Sequence, residues 1–335
     1  MYDMFRNTSA FLCAFVLFTG SAASTAQESA FRFGDRAFAT ADLPKTVQQS
    51  IYEVEWELHQ KRQKLIDAAA VDLFFETEAR KQGKDLETIR GELLNIPPPT
   101  DKQVRAFYEE NRARIPAPYE VVKGDVARYL RSQQVDAKKA ELLTKLKASG
   151  QYASLTPEPK GPIFDIDTAG YPRTGKAGAK VKLVDFADYQ CPHCKQASET
   201  LTAVMKIYGD RVEWVFMDFP INRSGISRKV AVGAVCAQQQ GKFWEYHDLA
   251  FSRQGALHND SPGELALELD LEEAAFEKCY RSSATEEQVA RSEKQARELG
   301  LHSTPSLFIN GRRVQLRNLE DGLVEAIEKA LDSQS

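Results

Sequence analysis

Cysteine and histidine are both scarce in this chain, at five each in 335 residues. His59, His247, His258 and His302 follow no ligand spacing, and only one CxxC is present. A structural zinc site needs four ligands, so no metal is expected, and no cofactor either. Basic runs are missing too, and the formal net charge is −4. That balance argues against nucleic acid as a partner. Beyond the first 26 residues no apolar segment approaches bilayer length.

The single CxxC, Cys191-Pro192-His193-Cys194, is the most informative segment present. Val181 to Phe186 reads as a buried strand, β-branched and apolar, followed by a short turn. Ala197, Leu201, Val204 and Met205 then recur with helical spacing. Cys191 therefore falls at a strand-to-helix turn, with Pro192 in the first helical position that proline favours. Free backbone N–H groups and the positive end of the helix dipole point at the Cys191 sulfur and stabilise its thiolate. The thiolate is the reactive form, so the pair is read as redox-active, Cys191 as nucleophile and Cys194 as resolving thiol. A bare CxxC is also half of a zinc site, but the other cysteines are isolated from one another and from any His pair.

The first 26 residues have the pattern of a cleavable signal peptide: Arg6, an apolar core from Phe11 to Phe18, then small residues to Ala26. Cleavage is expected after Ala23 or Ala26, taking Cys13 with it, and the mature protein is expected in the periplasm. Four cysteines then remain in an oxidising compartment. Cys236 and Cys279 fall in one helical block and are expected to form a structural disulfide; the alternative is two buried, inert thiols.

A Pro-rich stretch, Thr156 to Pro162, divides the rest. Upstream the pattern is helical. Val47, Ile51, Val54 and Leu58 are spaced by four, three and four, and Leu65, Ile66, Ala69, Ala70, Leu73 and Phe74 continue the stripe until Gly83. Thr100 and Gln103 form a capping box, and a last helix runs from about Glu120 to Ser149. Downstream, strands alternate with helices: Val212 to Met217, a helical block over about 224–300, Ser306 to Ile309, an Asn310-Gly311 turn and a terminal helix. The expected architecture is an all-α domain over 27–155, a linker and lead-in over 156–179, and an α/β domain over 180–335.

Two resemblances add to this. The stretches DFADYQCPHC, GKFWEYHDLAF and TPSLFING make the region from Lys180 onward resemble the DsbA family of thioredoxin-fold disulfide oxidoreductases. That resemblance implies a thioredoxin fold with a helical insertion, a role for His193 in depressing the Cys191 pKa, and Pro305 as a cis-proline that packs on the CxxC. It further implies that the Thr304 backbone pairs with substrate, and that Asp185 serves as proton acceptor for Cys194. Thr304 departs from the valine of DsbA toward the isomerases DsbC and DsbG. LIDAAAVDLFFETEARKQG and PTDKQVRAFYEENRARI, with VKGDVARYLRSQQ, resemble the N-terminal chaperone segment of SurA and the parvulin-type prolyl isomerases, without their catalytic domain.

Three functions follow as expectations. The first is an exported oxidoreductase that forms disulfides in reduced, cysteine-containing client proteins and is recharged by a DsbB-like membrane oxidase. The second is a disulfide isomerase or reductase, assembled as a homo-oligomer through the helical domain and kept reduced by a DsbD-like partner. The third is a periplasmic chaperone in which the CxxC is incidental.

Overall fold

The computed structural model describes residues 29–315 and 319–333; the expected signal peptide over 1–26 lies outside them. The described chain opens with an antiparallel hairpin, β1 (Ser29–Phe33) and β2 (Arg36–Ala39). Gly34, at φ +59°, makes its turn, and the Phe31 and Phe38 rings stack across it at 5.1 Å. This hairpin stands at the head of the region that the sequence pattern assigns to helix.

Four helices follow: α1 (Lys45–Gln82), α2 (Leu86–Leu94), α3 (Asp101–Glu110) and α4 (Tyr119–Ala148). Asp85 caps α2 by accepting from the Thr88 N–H at 2.9 Å. The Thr100–Gln103 capping box is formed in both directions. Asn95, in the left-handed region at φ 41°, closes α2 just before the prolines. Val71, Phe75, Ala79 and Ile89 form one small core against Leu142 and Leu143 of α4. Val104, Tyr108, Tyr119 and Val126 form another.

The length of α1, 38 residues or about 57 Å, serves two partners. Its C-terminal half meets α2 and α4. Its N-terminal half meets the linker and the end of the sheet: Tyr52 lies against Gly161, where a Cβ would sit 3.1 Å from the ring, and Glu53 accepts from Arg313 at 3.1 Å and Gln315 at 3.2 Å. The buried face carries Tyr52 and His59, whereas Val54, Leu58 and Leu65 of the sequence stripe are 69%, 64% and 73% exposed.

The second half is built on a five-stranded sheet in the order β3-β5-β4-β6-β7: β3 (Arg173–Gly175), β4 (Val181–Ala187), β5 (Val212–Asp218), β6 (Ser306–Ile309) and β7 (Arg312–Arg313). The central β4 and β5 are parallel, joined by α5 (Pro192–Tyr208), and the outer pairings are antiparallel. Both faces are covered, which is why these strands read as continuous apolar runs. Leu183, Ala187, Trp214 and Phe216 meet α5 on one face; Val184, Phe186, Val215 and Met217 meet Phe164, Tyr171 and Leu299 on the other. Between β5 and β6 lie α6 (Ile226–Gln239), α7 (Phe243–Ser252), a 3₁₀ turn (Gln254–Ala256), α8 (Ser261–Glu268), α9 (Glu273–Tyr280) and α10 (Ser283–Glu298); α11 (Leu319–Asp332) ends the chain. This is a thioredoxin fold carrying a helical insertion, preceded by a largely helical region.

Cys236 of α6 and Cys279 of α9 are joined, with Cα atoms 5.7 Å apart and 43 residues between them in sequence. Closing a loop of that length removes enough unfolded-chain entropy to stabilise by ~3–4 kcal/mol. Cys236→Ala is expected to lower the unfolding free energy by about that amount in denaturant titration, while leaving thiol exchange at Cys191 intact.

Candidate active site

The site begins at the end of β4. Asp188 O accepts from Cys191 N at 3.0 Å, which folds the strand back into α5. Cys191 is the N-cap, and its carbonyl accepts from Cys194 N at 3.0 Å and Lys195 N at 3.3 Å. Pro192 occupies the first helical position, where no N–H is needed. Cys191 and Cys194 are both free thiols, the first half-buried and the second buried. Across the sheet, β6 pairs with β4 so that Ser306 faces Phe186. That register delivers the residues preceding β6 to the helix start. The Cys191 thiol donates to the Thr304 carbonyl at 3.3 Å, and the Thr304–Pro305 peptide bond is cis. His193 is exposed on the first turn of α5.

The two sulfurs are driven apart electrostatically. Cys191 has its pKa lowered to about 5. The Cys194 thiol donating to it is the largest cause; burial opposes, and Thr304 with the backbone N–H groups of Cys194 and His193 adds to the lowering. Cys194 is pushed far up, first by burial, then by its bond to Cys191 and by the nearby Asp185 carboxylate. Its sulfur accepts a long 3.5 Å contact from Asp188 N. At neutral pH one sulfur is therefore an accessible thiolate and the other a protonated reserve.

Asp185 lies on β4 between Leu183 and Ala187 in face direction, and is 1% exposed. Burial, with the Cys191 charge second, raises its pKa to about 8. Its Oδ1 has no hydrogen-bond partner among the described residues. A neutral carboxyl beside a buried thiol is suited to exchange a proton with it.

Two further groups hold the turn, neither of them among the site residues expected from the sequence. Asp188 accepts from Gln190 N at 2.7 Å, Ile221 N at 2.8 Å, Asn222 N at 2.9 Å and the Ser227 hydroxyl. Gln254 of the insertion donates to the carbonyls of Tyr189 and Cys191. The resemblance implies that Asp185, Thr304 and Pro305 lie beside Cys191 and Cys194, and the fold brings all five to the start of α5. Cys236 and Cys279 lie away from it, in the insertion. No three His, Cys, Asp or Glu side chains converge as metal ligands among the described residues. Nor, among them, is any helix long and apolar enough to cross a membrane.

The family model described as Thioredoxin matches residues 167–329. Curated relatives include the Na(+)/H(+) antiporter NhaA of Herminiimonas arsenicoxydans, 31% identical over 141 residues, which are 42% of this chain and 22% of that protein. The Na(+)/H(+) antiporter NhaA 3 of Salinispora tropica is 30% identical over 140 residues, 42% of this chain and 21% of that protein. This chain thus spans only about a fifth of the length of these relatives. Among solved structures, oxidised BdbD from Bacillus subtilis is similar at a TM-score of 0.45 and 23% identity, over 50% of this chain and 95% of that one. The thiol-disulfide exchange protein alpha-DsbA2 from Wolbachia pipientis is similar at 0.42 and 23%, over 50% and 88%. The catalytic domain of Proteus mirabilis ScsC is similar at 0.44 and 22%, over 49% and 90%.

Two outcomes are expected from these electrostatics. Cys191 is expected to alkylate with a half-maximal rate near pH 5, against about 8.5 for an ordinary thiol, with Cys194 silent throughout; a stopped-flow alkylation profile measures it. Asp185 has its folded pKa raised, so its charged form is disfavoured by folding. It costs nothing below its ordinary value near 4 and costs progressively more as pH rises toward about 8. Asp185→Asn is therefore expected to stabilise the fold by ~1–3 kcal/mol at neutral pH, and hardly at all near pH 4. Denaturation at the two pH values checks it.

Proposed function

We propose that this chain is an exported thiol–disulfide oxidoreductase that introduces disulfides into reduced, cysteine-containing client proteins through Cys191 and Cys194. The observation that carries the reading is the pairing of an accessible Cys191, with its pKa near 5, and a buried, protonated Cys194 at one helix start. Low thiolate pKa stabilises the reduced form of the pair, and a stabilised reduced form makes the disulfide a strong oxidant.

In the oxidised protein a client thiolate attacks the Cys191 sulfur, because Cys194 is out of reach. The Cys191–Cys194 bond breaks, Cys194 leaves as thiolate and takes a proton, for which the neutral Asp185 carboxyl is the nearest source. A second client thiolate then attacks the client sulfur of the mixed disulfide and releases Cys191 as thiolate. Two electrons pass from the client dithiol to the CxxC, and the client keeps the disulfide. The depressed pKa of Cys191 makes it the better leaving group in this last step. Thr304, whose carbonyl already meets the Cys191 sulfur at 3.3 Å, is the backbone that an extended client segment would lie against, beside Pro305. His193, exposed beside the sulfur, adds donor capacity to the same turn. Turnover requires an external oxidant to accept the two electrons, and a DsbB-like membrane partner is the class of protein that supplies it in an exported setting.

A second reading rests on a separate observation. Val54, Leu58 and Leu65 stay exposed on α1, opposite the face that packs on the rest of the chain. A stripe at near-heptad spacing suits self-association, and a homo-oligomer presenting several CxxC sites to one client suits disulfide reshuffling, with a DsbD-like reductant. The resemblance of these helices to the SurA chaperone segment offers the other use of the stripe, holding unfolded clients.

Three measurements separate these readings. Cys194→Ser is expected to accumulate mixed disulfides with clients, seen as reductant-sensitive adducts. Their absence, together with undiminished holdase activity when both motif cysteines are Ser, would leave the chaperone reading standing instead. The reduction potential of the pair is expected to lie well above that of the glutathione couple for an oxidase and near or below it for an isomerase. Light scattering is expected to give a larger species for the mature protein than for a form lacking residues 27–160 if the stripe assembles it.

A further inference from the structure

Gln254 sits in the helical insertion, 63 residues from Cys191 in sequence, yet its side chain ends on the redox turn. Its Nε2 donates to the Tyr189 carbonyl and the Cys191 carbonyl, at 2.9 Å each. Both partners are acceptors only, so the amide nitrogen and not the oxygen must face them. The two carbonyls bracket the segment Gln190–Cys191, which leads into α5.

The Cys191 carbonyl is unusual in its surroundings. It already accepts the first helical bonds, from Cys194 N and Lys195 N. Residue 192 is proline and brings no donor of its own. As a neutral thiol the Cys191 side chain makes no capping hydrogen bond and donates instead to the Thr304 carbonyl. The orientation of the N-cap peptide is therefore left to its backbone bonds and to one donor from outside the turn, and that donor is Gln254. Asp188 is held by its own four donors, but none of them reaches Cys191.

We infer that Gln254 is a positioning residue for the redox reaction: by fixing the Tyr189 and Cys191 carbonyls it keeps the Cys191 sulfur aimed at the amino end of α5, and so makes the pair more oxidising. It touches no reacting atom. The effect falls mainly on the reduced protein, because only there does the sulfur carry a charge for the helix end to stabilise. The inference rests on the redox reading of Cys191 and Cys194 given above. It also assigns the insertion a task in the chemistry, since the turn carrying Gln254 belongs to it.

The test uses the full mature chain with Gln254→Met, which keeps the length and loses the donor, and Gln254→Lys, which keeps a donor on a stem of similar reach. The readouts are the equilibrium with glutathione, the Cys191 alkylation rate at mildly acidic pH, and unfolding of the oxidised and reduced forms separately. Gln254→Met is expected to shift the equilibrium ~3–10-fold toward the oxidised protein, where tenfold corresponds to about 30 mV for a two-electron couple. It is also expected to destabilise the reduced form more than the oxidised one, and Gln254→Lys to stay within about twofold of the wild type. An equal loss of stability in both redox forms with an unchanged equilibrium would make Gln254 a purely structural contact and overturn the inference. So would a Lys variant that shifts as far as the Met variant, because the donor would then not be what matters. A wild-type chain whose CxxC does not exchange with glutathione at all would instead overturn the redox reading itself, before any variant is compared.

Discussion

A sulfur at the N-cap of a helix is stabilised as an anion when the backbone donors of the first turn are aimed at it, and the arrangement around Cys191 serves that condition. Pro192 starts the helix without a donor of its own, and the N–H groups of His193 and Cys194 face the sulfur, the latter shared with the Cys191 carbonyl. The helix start is placed by β4, the strand held on both edges, parallel to β5 and antiparallel to β6. One register decides the rest. With Ser306 opposite Phe186, the residues before β6 arrive at the helix start and the Thr304 carbonyl meets the thiol. A slip of one residue in that pairing would turn every β6 side chain to the opposite face of the sheet and withdraw Thr304 from the sulfur.

Two aspartates three residues apart illustrate how the fold, rather than the residue type, assigns roles. Asp188 has left the strand and gathers four donors, which makes it a structural clamp on the turn and on the loop at Ile221 and Asn222. Asp185 is still in the strand, with one oxygen unpartnered among the described residues and a raised pKa. Burial without donors keeps a carboxyl neutral and able to move a proton; burial with donors fixes it in place. The same contrast separates the cysteines, one taking the donors of the helix start and the other sealed against the sheet.

Much of this was legible in the residues. The buried strands, the CxxC at a strand-to-helix turn, the helical insertion, the Asn310-Gly311 turn and the Thr100 capping box each have a local signature, because the chain conformation at those points is decided by neighbours in sequence. The hairpin β1–β2 and the edge strand β3 have none. They are four or five residues at most, largely polar or exposed, and their pairing partners are what define them. The roles of Gln254 and Asp188 were hidden for a different reason: Gln254 is a single amide with no periodicity, Asp188 a carboxylate within the DFADYQCPHC stretch, and their partners arrive only when the insertion folds back over the sheet.

Helix α1 marks the limit of what periodicity can decide. It carries apolar residues on two opposite faces, and spacing alone favours the stripe through Val47, Ile51, Val54 and Leu58. The chain buries the other face, because Tyr52 lies against Gly161 of the linker and Glu53 ties to Arg313 of β7 and to Gln315 just beyond it. A regular apolar stripe identifies a surface that loses by meeting water. Which surface it meets is set by the partner available, and the nearest partner here presented an arginine, a glutamine and a glycine backbone. Those select a tyrosine face with an acidic neighbour over an aliphatic one. The aliphatic stripe is thereby kept outside the intramolecular core, and the same physics that placed it there, burial of area at roughly 25 cal/mol per Å², continues to favour covering it by something other than this chain's own packed interior.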